Sequence, residues 1–189
     1  MNDAGRDSQG RRRRALVTGA SSGIGQAFAE RLARDGYDLI VVARRRDRLE
    51  ALARRLSPES SVSVEVLSAD LSRDDGIAMV ESRIARAPEL DLLVNNAGFG
   101  AYMPFVELPP ERAAELIRLQ VLAVTLLSRA ALPAMVARGS GAVINVSSRL
   151  GPLRGDRRER APPARGIARW GGVETLRLDA RLRSFPVIR

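Results

Sequence analysis

The stretch Thr18-Gly19-Ala20-Ser21-Ser22-Gly23-Ile24-Gly25 has the residue types that a phosphate-binding turn requires. It follows a short apolar run, 15–18, and opens a segment with helical periodicity, so it sits where a strand meets a helix. Gly19 permits a tight turn, Gly23 lets backbone approach a phosphate, and Gly25 lets helix and strand pack closely. The helix start supplies unpaired N–H groups and the positive end of a dipole. A lone glycine pattern would mark any turn. A strand before it and a helix after it turn the reading toward a nucleotide cofactor.

The elements that must position this turn alternate along the chain. Runs dominated by apolar residues at 15–18, 37–43, 62–67, 90–94 and 141–146 read as buried strands. Helical patterns lie between them at 23–35, 47–56, 74–87 and 110–137, with Ser57-Pro58 expected to stop the second. This alternation predicts an α/β fold: a Rossmann-type, doubly wound parallel sheet of order 3-2-1-4-5. The domain spans 15–151, preceded by a disordered basic arm at 1–14 and followed by an Arg-rich irregular tail at 152–189.

Three motifs stand in register: the turn at 18–25, Asn95-Asn96-Ala97-Gly98 after the fourth strand, and the run INVSS ending at Ser148. Together they resemble the short-chain dehydrogenase/reductase family over residues 14 to 151. The resemblance implies a nicotinamide cofactor and hydride transfer to or from a carbonyl or alcohol carbon of a small molecule. It assigns Gly19, Ser21, Ser22, Gly23, Ile24 and Gly25 to the cofactor turn, and Asp70 and Leu71 to the adenine. Asn95, Asn96, Ala97 and Gly98 would stabilise the sheet and run beside the ribose. Ser148 would hold the substrate oxygen, and Gln120 stands where the family has an asparagine in the long helix. The same resemblance makes the helix at 110–137 the expected interface of a homo-oligomer.

Cofactor choice follows from charge. A binder of NAD carries an acidic residue at the end of the second strand for the ribose 2′-hydroxyl. Here Ala43 is followed by Arg44, Arg45 and Arg46, whose guanidinium groups suit a 2′-phosphate. NADP is therefore expected over NAD, with Arg44 the leading contact.

The family's proton donor is a tyrosine about a dozen residues after the serine, with a lysine four further on. A free tyrosine has a pKa of about 10, so the lysine and the cofactor must lower it. Thirteen residues after Ser148 stands Ala161, and four later Arg165. No tyrosine follows Tyr102, and the chain contains no lysine at all among its 31 basic residues. Arg165 has too high a pKa to relay protons. The expected protein is thus an NADP-dependent reductase by descent with little or no turnover as written. The alternative is a non-catalytic nucleotide-binding or interaction protein.

Composition limits the remaining possibilities. The chain has no Cys and no His, which excludes a thiol nucleophile, a His-based triad and a Cys/His zinc site. The net charge of +9 is confined to the flanks: residues 1–14 hold five Arg and two Asp, residues 154–189 ten Arg and four acids, and the middle is neutral. A solvated basic segment at each end is expected, without a nucleic-acid partner. Arg118 and Arg129 interrupt the most apolar stretch, so no membrane span is expected, nor is a secretion signal, and the location is read as cytoplasmic. From Pro152 onward composition swings to Arg, Pro, Gly and Ala, and the strand and helix pattern stops. A reading-frame shift or a truncation in a gene rich in G and C is the expected cause, leaving strand five as an open edge.

Overall fold

The computed structural model describes residues 5–7, 10–100, 105–147 and 173–177. Strands β1 (Arg14–Thr18), β2 (Asp38–Ala43), β3 (Val64–Ser68), β4 (Leu90–Asn95) and β5 (Ala142–Val146) form a parallel sheet of order β3-β2-β1-β4-β5, as the alternating pattern predicts. Parallel strands need crossovers, and α1 (Gly23–Arg34), α2 (Arg46–Ser60), α3 (Asp74–Ala85), α4 (Pro110–Ile117) and α5 (Ala123–Arg138) supply them.

The central strands β1 and β2 are buried on both faces because successive side chains enter opposite cores. Ala15 and Val17 of β1 join Leu39 and Val41 of β2 against α1 and α2. Leu16, Ile40, Val42 and Leu93 face the other way, against Ile77, Val80 and Ile84 of α3 and Ala123, Leu127, Ala131 and Met135 of α5. Those four α5 residues recur every four positions and form its buried stripe.

Several local expectations are corrected. Pro58 does not stop α2, which runs to Ser60; proline in the last turn forfeits only one backbone bond there, and Ser61 ends the helix in a left-handed conformation at φ 53°. The helix at 110–137 is interrupted by a π-turn, Arg118–Leu122, closed by the Ala123 N–H on the Arg118 carbonyl. By length and composition the run Pro110–Arg138 is apolar enough to cross a membrane, and its α5 part packs into the core through Ala123, Leu127, Ala131 and Met135.

The arm at 1–14 is not disordered over its described residues. Arg13 N–H bonds the Gly5 carbonyl at 2.8 Å, and the Arg11 fork grips Asp91 at 2.8 and 3.1 Å. Asp91 also accepts the Arg14 N–H at 2.8 Å, so two arginines of the arm converge on one half-buried carboxylate at the start of β4.

Strand five is not an open edge either. β6 (Val173–Arg177) pairs with it antiparallel, with Ile144 opposite Thr175. Leu176 therefore belongs to a strand, although the sequence predicts that the pattern of strands and helices stops at Pro152. An unpaired edge offers a row of backbone donors and acceptors, and an extended segment of almost any sequence can satisfy them.

Candidate functional site

The glycine turn sits at the carboxyl ends of β1 and β4, and its shape depends on buried Thr18 and half-buried Asn96. Thr18, 2% exposed, ends β1 and faces β4. Its Oγ1 accepts the N–H groups of Asn96 and Ala97 at 2.9 and 3.0 Å and donates to the Val94 carbonyl at 3.3 Å. Asn96 returns the bond, its Nδ2 donating to the Thr18 carbonyl at 3.0 Å. These contacts draw the motif 95–98 against the turn at 18–25.

Asn95, 4% exposed, points the other way. Its Nδ2 donates to Asn145 Oδ1 at 2.9 Å and Ser128 Oγ at 3.1 Å, tying β4 to its register partner on β5 and to α5. Of the four residues of this motif, Asn95 therefore stabilises the sheet, Asn96 and Ala97 shape the turn, and Gly98 lies exposed beyond them.

The glycines divide the work. Gly19 adopts φ +69°, and a Cβ there would lie 2.8 Å from Asn96 Nδ2 and 2.9 Å from Ala97 Cα. A Cβ on Gly25 would collide with Asn96 Nδ2 and the Gly19 carbonyl oxygen. Gly23, at φ +58°, would meet nothing within 4 Å, so the space in front of it is open to a ligand. Ile24 beside it is 49% exposed. Ser22 is the N-cap of α1, yet its hydroxyl does not cap the helix, and the first turn holds no acidic side chain. The amide donors at this end are thus oriented for an anion. The cradle fits a dinucleotide phosphate.

The end of β2 carries the three arginines, each placed differently. Arg46 pairs with Glu50 at 2.9 Å. Arg45 reaches back to the turn, its Nη2 donating to Ser22 Oγ at 2.8 Å and Ser21 Oγ at 3.0 Å. Arg44 is exposed, and its carbonyl accepts from Ser68 Oγ at 3.2 Å. The bond from Arg45 to the serines was not legible in the sequence, where three adjacent arginines are equivalent.

Asp70 and Leu71 lie just past β3. Burial works to raise the Asp70 pKa, but two bonds from Ser72, at 2.7 and 3.0 Å, and the charges of Arg44 and Arg73 outweigh it, so the carboxyl sits below its ordinary range. Leu71 is 5% exposed and packs in the core.

Gln120 lies in the π-turn and donates from Nε2 to the Phe99 carbonyl at 2.7 Å. It therefore fixes the loop leaving β4, while the guanidinium of Arg112 covers the Phe99 ring 3.8 Å from its centroid. Ser148, Tyr102, Ala161 and Arg165 lie outside the described residues.

The family described as short chain dehydrogenase matches residues 13–158. A very-long-chain 3-oxoacyl-CoA reductase of Mus musculus is 34% identical over 143 residues, covering 74% of this chain and 46% of that protein. The chain spans about half the length of the curated relatives it matches. A short-chain dehydrogenase from Sphingobium yanoikuyae, solved in complex with NADPH, is 46% identical with a TM-score of 0.70, over 72% of this chain and 54% of that one. A bulky-bulky ketone specific alcohol dehydrogenase from Comamonas testosteroni is 39% identical with a TM-score of 0.71, over 72% and 55%. With its glycine turn, its 95–98 motif and its sheet order in place, the chain belongs to the short-chain dehydrogenase family.

Proposed function

We propose that this chain binds NADP and carries the cofactor half of a reductase site, with hydride exchange between the nicotinamide and a ketone or secondary alcohol as the reaction class. One observation carries the reading: the turn cradled by Thr18, Asn96 and Gly25 faces a β2 end where cations replace the acid that NAD would need. The NADPH in the Sphingobium complex supports it, as do the ketone and 3-oxoacyl substrates named for two relatives.

The cofactor supplies the hydride. What the protein must add is a proton at the substrate oxygen, and there this chain departs from the family pattern. Ala161 and Arg165 stand in the positions of the tyrosine and lysine. A serine hydroxyl at Ser148 can hold a carbonyl oxygen but is a poor acid near neutral pH. Bound cofactor with negligible turnover is the expected state, in the cytoplasm, where NADP is at hand. This departure also favours the second reading, a nucleotide-binding protein without catalysis.

Fluorescence titration of the purified chain with NADPH, beside a ketone-dependent assay of NADPH oxidation, tests both. Binding without turnover is the expected result. Turnover near the usual range of roughly 1–10³ s⁻¹ would refute the loss of the proton donor, and Tyr102→Phe would then be the next variant. Failure to bind NADPH or NADH would refute the cofactor reading itself.

A further inference from the structure

We propose that Arg45 is a positioning residue for the cofactor turn: it holds the hydroxyls of Ser21 and Ser22 by their lone pairs and turns their protons toward a phosphate. The inference rests on the reading of this turn as a dinucleotide site.

Register brings the pieces together. Thr18 lies opposite Val42 in the pairing of β1 with β2, so the segments leaving the two strands run side by side. The Ala20 N–H bonds the Val42 carbonyl at 3.2 Å and fixes the turn against β2. Arg45 is the N-cap of α2 with extended backbone, φ −85° and ψ 91°, and its side chain crosses the carboxyl edge of the sheet to the turn. One nitrogen, Nη2, then meets both hydroxyl oxygens, at 2.8 and 3.0 Å.

The direction of these bonds is settled by chemistry. A guanidinium has donors only, whereas a hydroxyl has one proton and two acceptor sites. Ser21 and Ser22 must therefore accept from Arg45, and each keeps its own proton for another partner. A cation on the lone pair polarises the O–H bond and makes it the stronger donor. Two such donors lie next to the open face of Gly23 and the start of α1. Their complement is a phosphate oxygen.

The arrangement also explains a broken local rule. Serine at an N-cap ordinarily bonds the backbone of its own helix, a contact worth about 1 kcal/mol. Ser22 forgoes that bond and is held by Arg45 instead.

Positioning through the serines differs in outcome from direct contact with a 2′-phosphate. Acting on the turn, Arg45 serves NAD and NADP alike. The test is a binding cycle with both cofactors on the full chain, Arg45→Ala, the pair Ser21→Ala/Ser22→Ala, and all three together. Arg45→Ala should weaken NADP and NAD by the same factor, about three- to tenfold. In the background lacking both hydroxyls the same change should cost less than about twofold, because nothing remains to be positioned. Arg45→Lys, which keeps the charge and three donors, should recover part of the loss, and Arg45→Gln, shorter and uncharged, should not. Melting temperatures should change little, since Arg45 and Ser22 are exposed and Ser21 is only partly covered.

A loss confined to NADP, or one that persists in the background without the serines, would overturn the inference in favour of direct phosphate contact. Unchanged affinity for both cofactors would overturn it outright. If the unaltered chain binds neither cofactor, the cofactor reading falls and this inference with it. If it binds them and only the cycle fails, the cofactor reading stands alone.

Discussion

Thr18 and Asn96 exchange hydrogen bonds across the seam between β1 and the segment after β4: the Asn96 N–H reaches Thr18 Oγ1 at 2.9 Å, and its Nδ2 reaches the Thr18 carbonyl at 3.0 Å. Since Thr18 Oγ1 also takes the Ala97 N–H, Thr18→Val keeps the side-chain shape and strands two part-buried donors. The variant should lose about 2 kcal/mol in denaturant unfolding. Its affinity for NADP should fall as well, because the turn loses the contact that sets its distance from Asn96. An unaltered unfolding midpoint would show that the bond pattern is replaced by water at no cost.

Gly23 and Gly25 are two residues apart and should divide their losses differently between stability and binding. Gly25→Ala drives a methyl group into Asn96 and the Gly19 carbonyl, neither of which is the free end of a flexible chain. Overpacking of this kind costs about 1–3 kcal/mol, so the melting temperature should drop. Gly23→Ala meets open space and pays only for its positive φ, about 1 kcal/mol. It should bind cofactor at least as poorly as Gly25→Ala while keeping more of its stability, because its methyl fills the space a phosphate would take. Thermal melts and NADP titrations of the two variants decide the point. Equal affinities for Gly23→Ala and the parent chain would place the phosphate elsewhere.

Arg44 tests the choice between cofactors. Arg44→Asp puts an acid at the end of β2, the arrangement suited to a ribose hydroxyl. NADP should weaken about ten- to a hundredfold, as for a lost charge-assisted bond, with NAD unchanged or improved. Equal losses for both would remove Arg44 from the 2′-phosphate site.

The sheet order and the cofactor turn were legible because strand, glycine and helix signals agree at each step from Ala15 to Val146. What stayed hidden was set by side-chain geometry or by long-range pairing. Nothing in ARRR says that Arg45 turns back to Ser21 and Ser22 while Arg46 pairs along its own helix. The arm looked solvated because its charge was read without its partner: Asp91, 80 residues away from Arg11 in sequence, neutralises it. The π-turn at Gln120 leaves no trace in the periodicity, since one extra residue in a turn shifts the apolar stripe by less than its width. β6 was missed because its pairing is a matter of backbone, and VETLR carries no strong strand pattern of its own.

Stability should respond to pH only on the acid side. The bidentate bonds from Arg83 hold the Glu65 pKa below its ordinary 4.5. Glu30 is lowered in the same direction by Gln26 and Arg55, and Asp70 by Ser72. A carboxyl whose folded pKa is depressed adds stability that is fully present above its unfolded value and lost as pH falls through the folded one. The chain has no histidine to titrate near neutrality. Melting temperature should therefore be flat from about pH 6 to 8 and decline below roughly pH 4.5. Glu65→Gln should make the acid limb shallower. A midpoint near pH 6.5 would contradict the assignment.

The change of composition at Pro152 makes a prediction about the gene. Up to Gly151 turns, strands and motifs agree with one another, as in a sequence selected for one fold. Beyond it Arg, Pro, Gly and Ala dominate, and the family's tyrosine and lysine positions hold Ala161 and Arg165. Point changes that only abolished activity would have left the surrounding helical pattern intact. A shifted frame in a gene rich in G and C produces these four residues, and 31 arginines without one lysine fit such a gene, because lysine codons are rich in A. The strand at Val173–Arg177 does not weigh against this, since its ladder to β5 is made by backbone groups that any non-proline sequence supplies. Reading the nucleotide sequence from codon 152 in the other two frames is the test. A Tyr-x-x-x-Lys segment beginning about thirteen codons after Ser148 is expected in one of them. Restoring that frame should then convert a cofactor-binding chain without turnover into an active NADPH-dependent ketone reductase. If neither frame encodes such a segment, the Arg-rich stretch is a feature of the protein itself, and the non-catalytic reading gains.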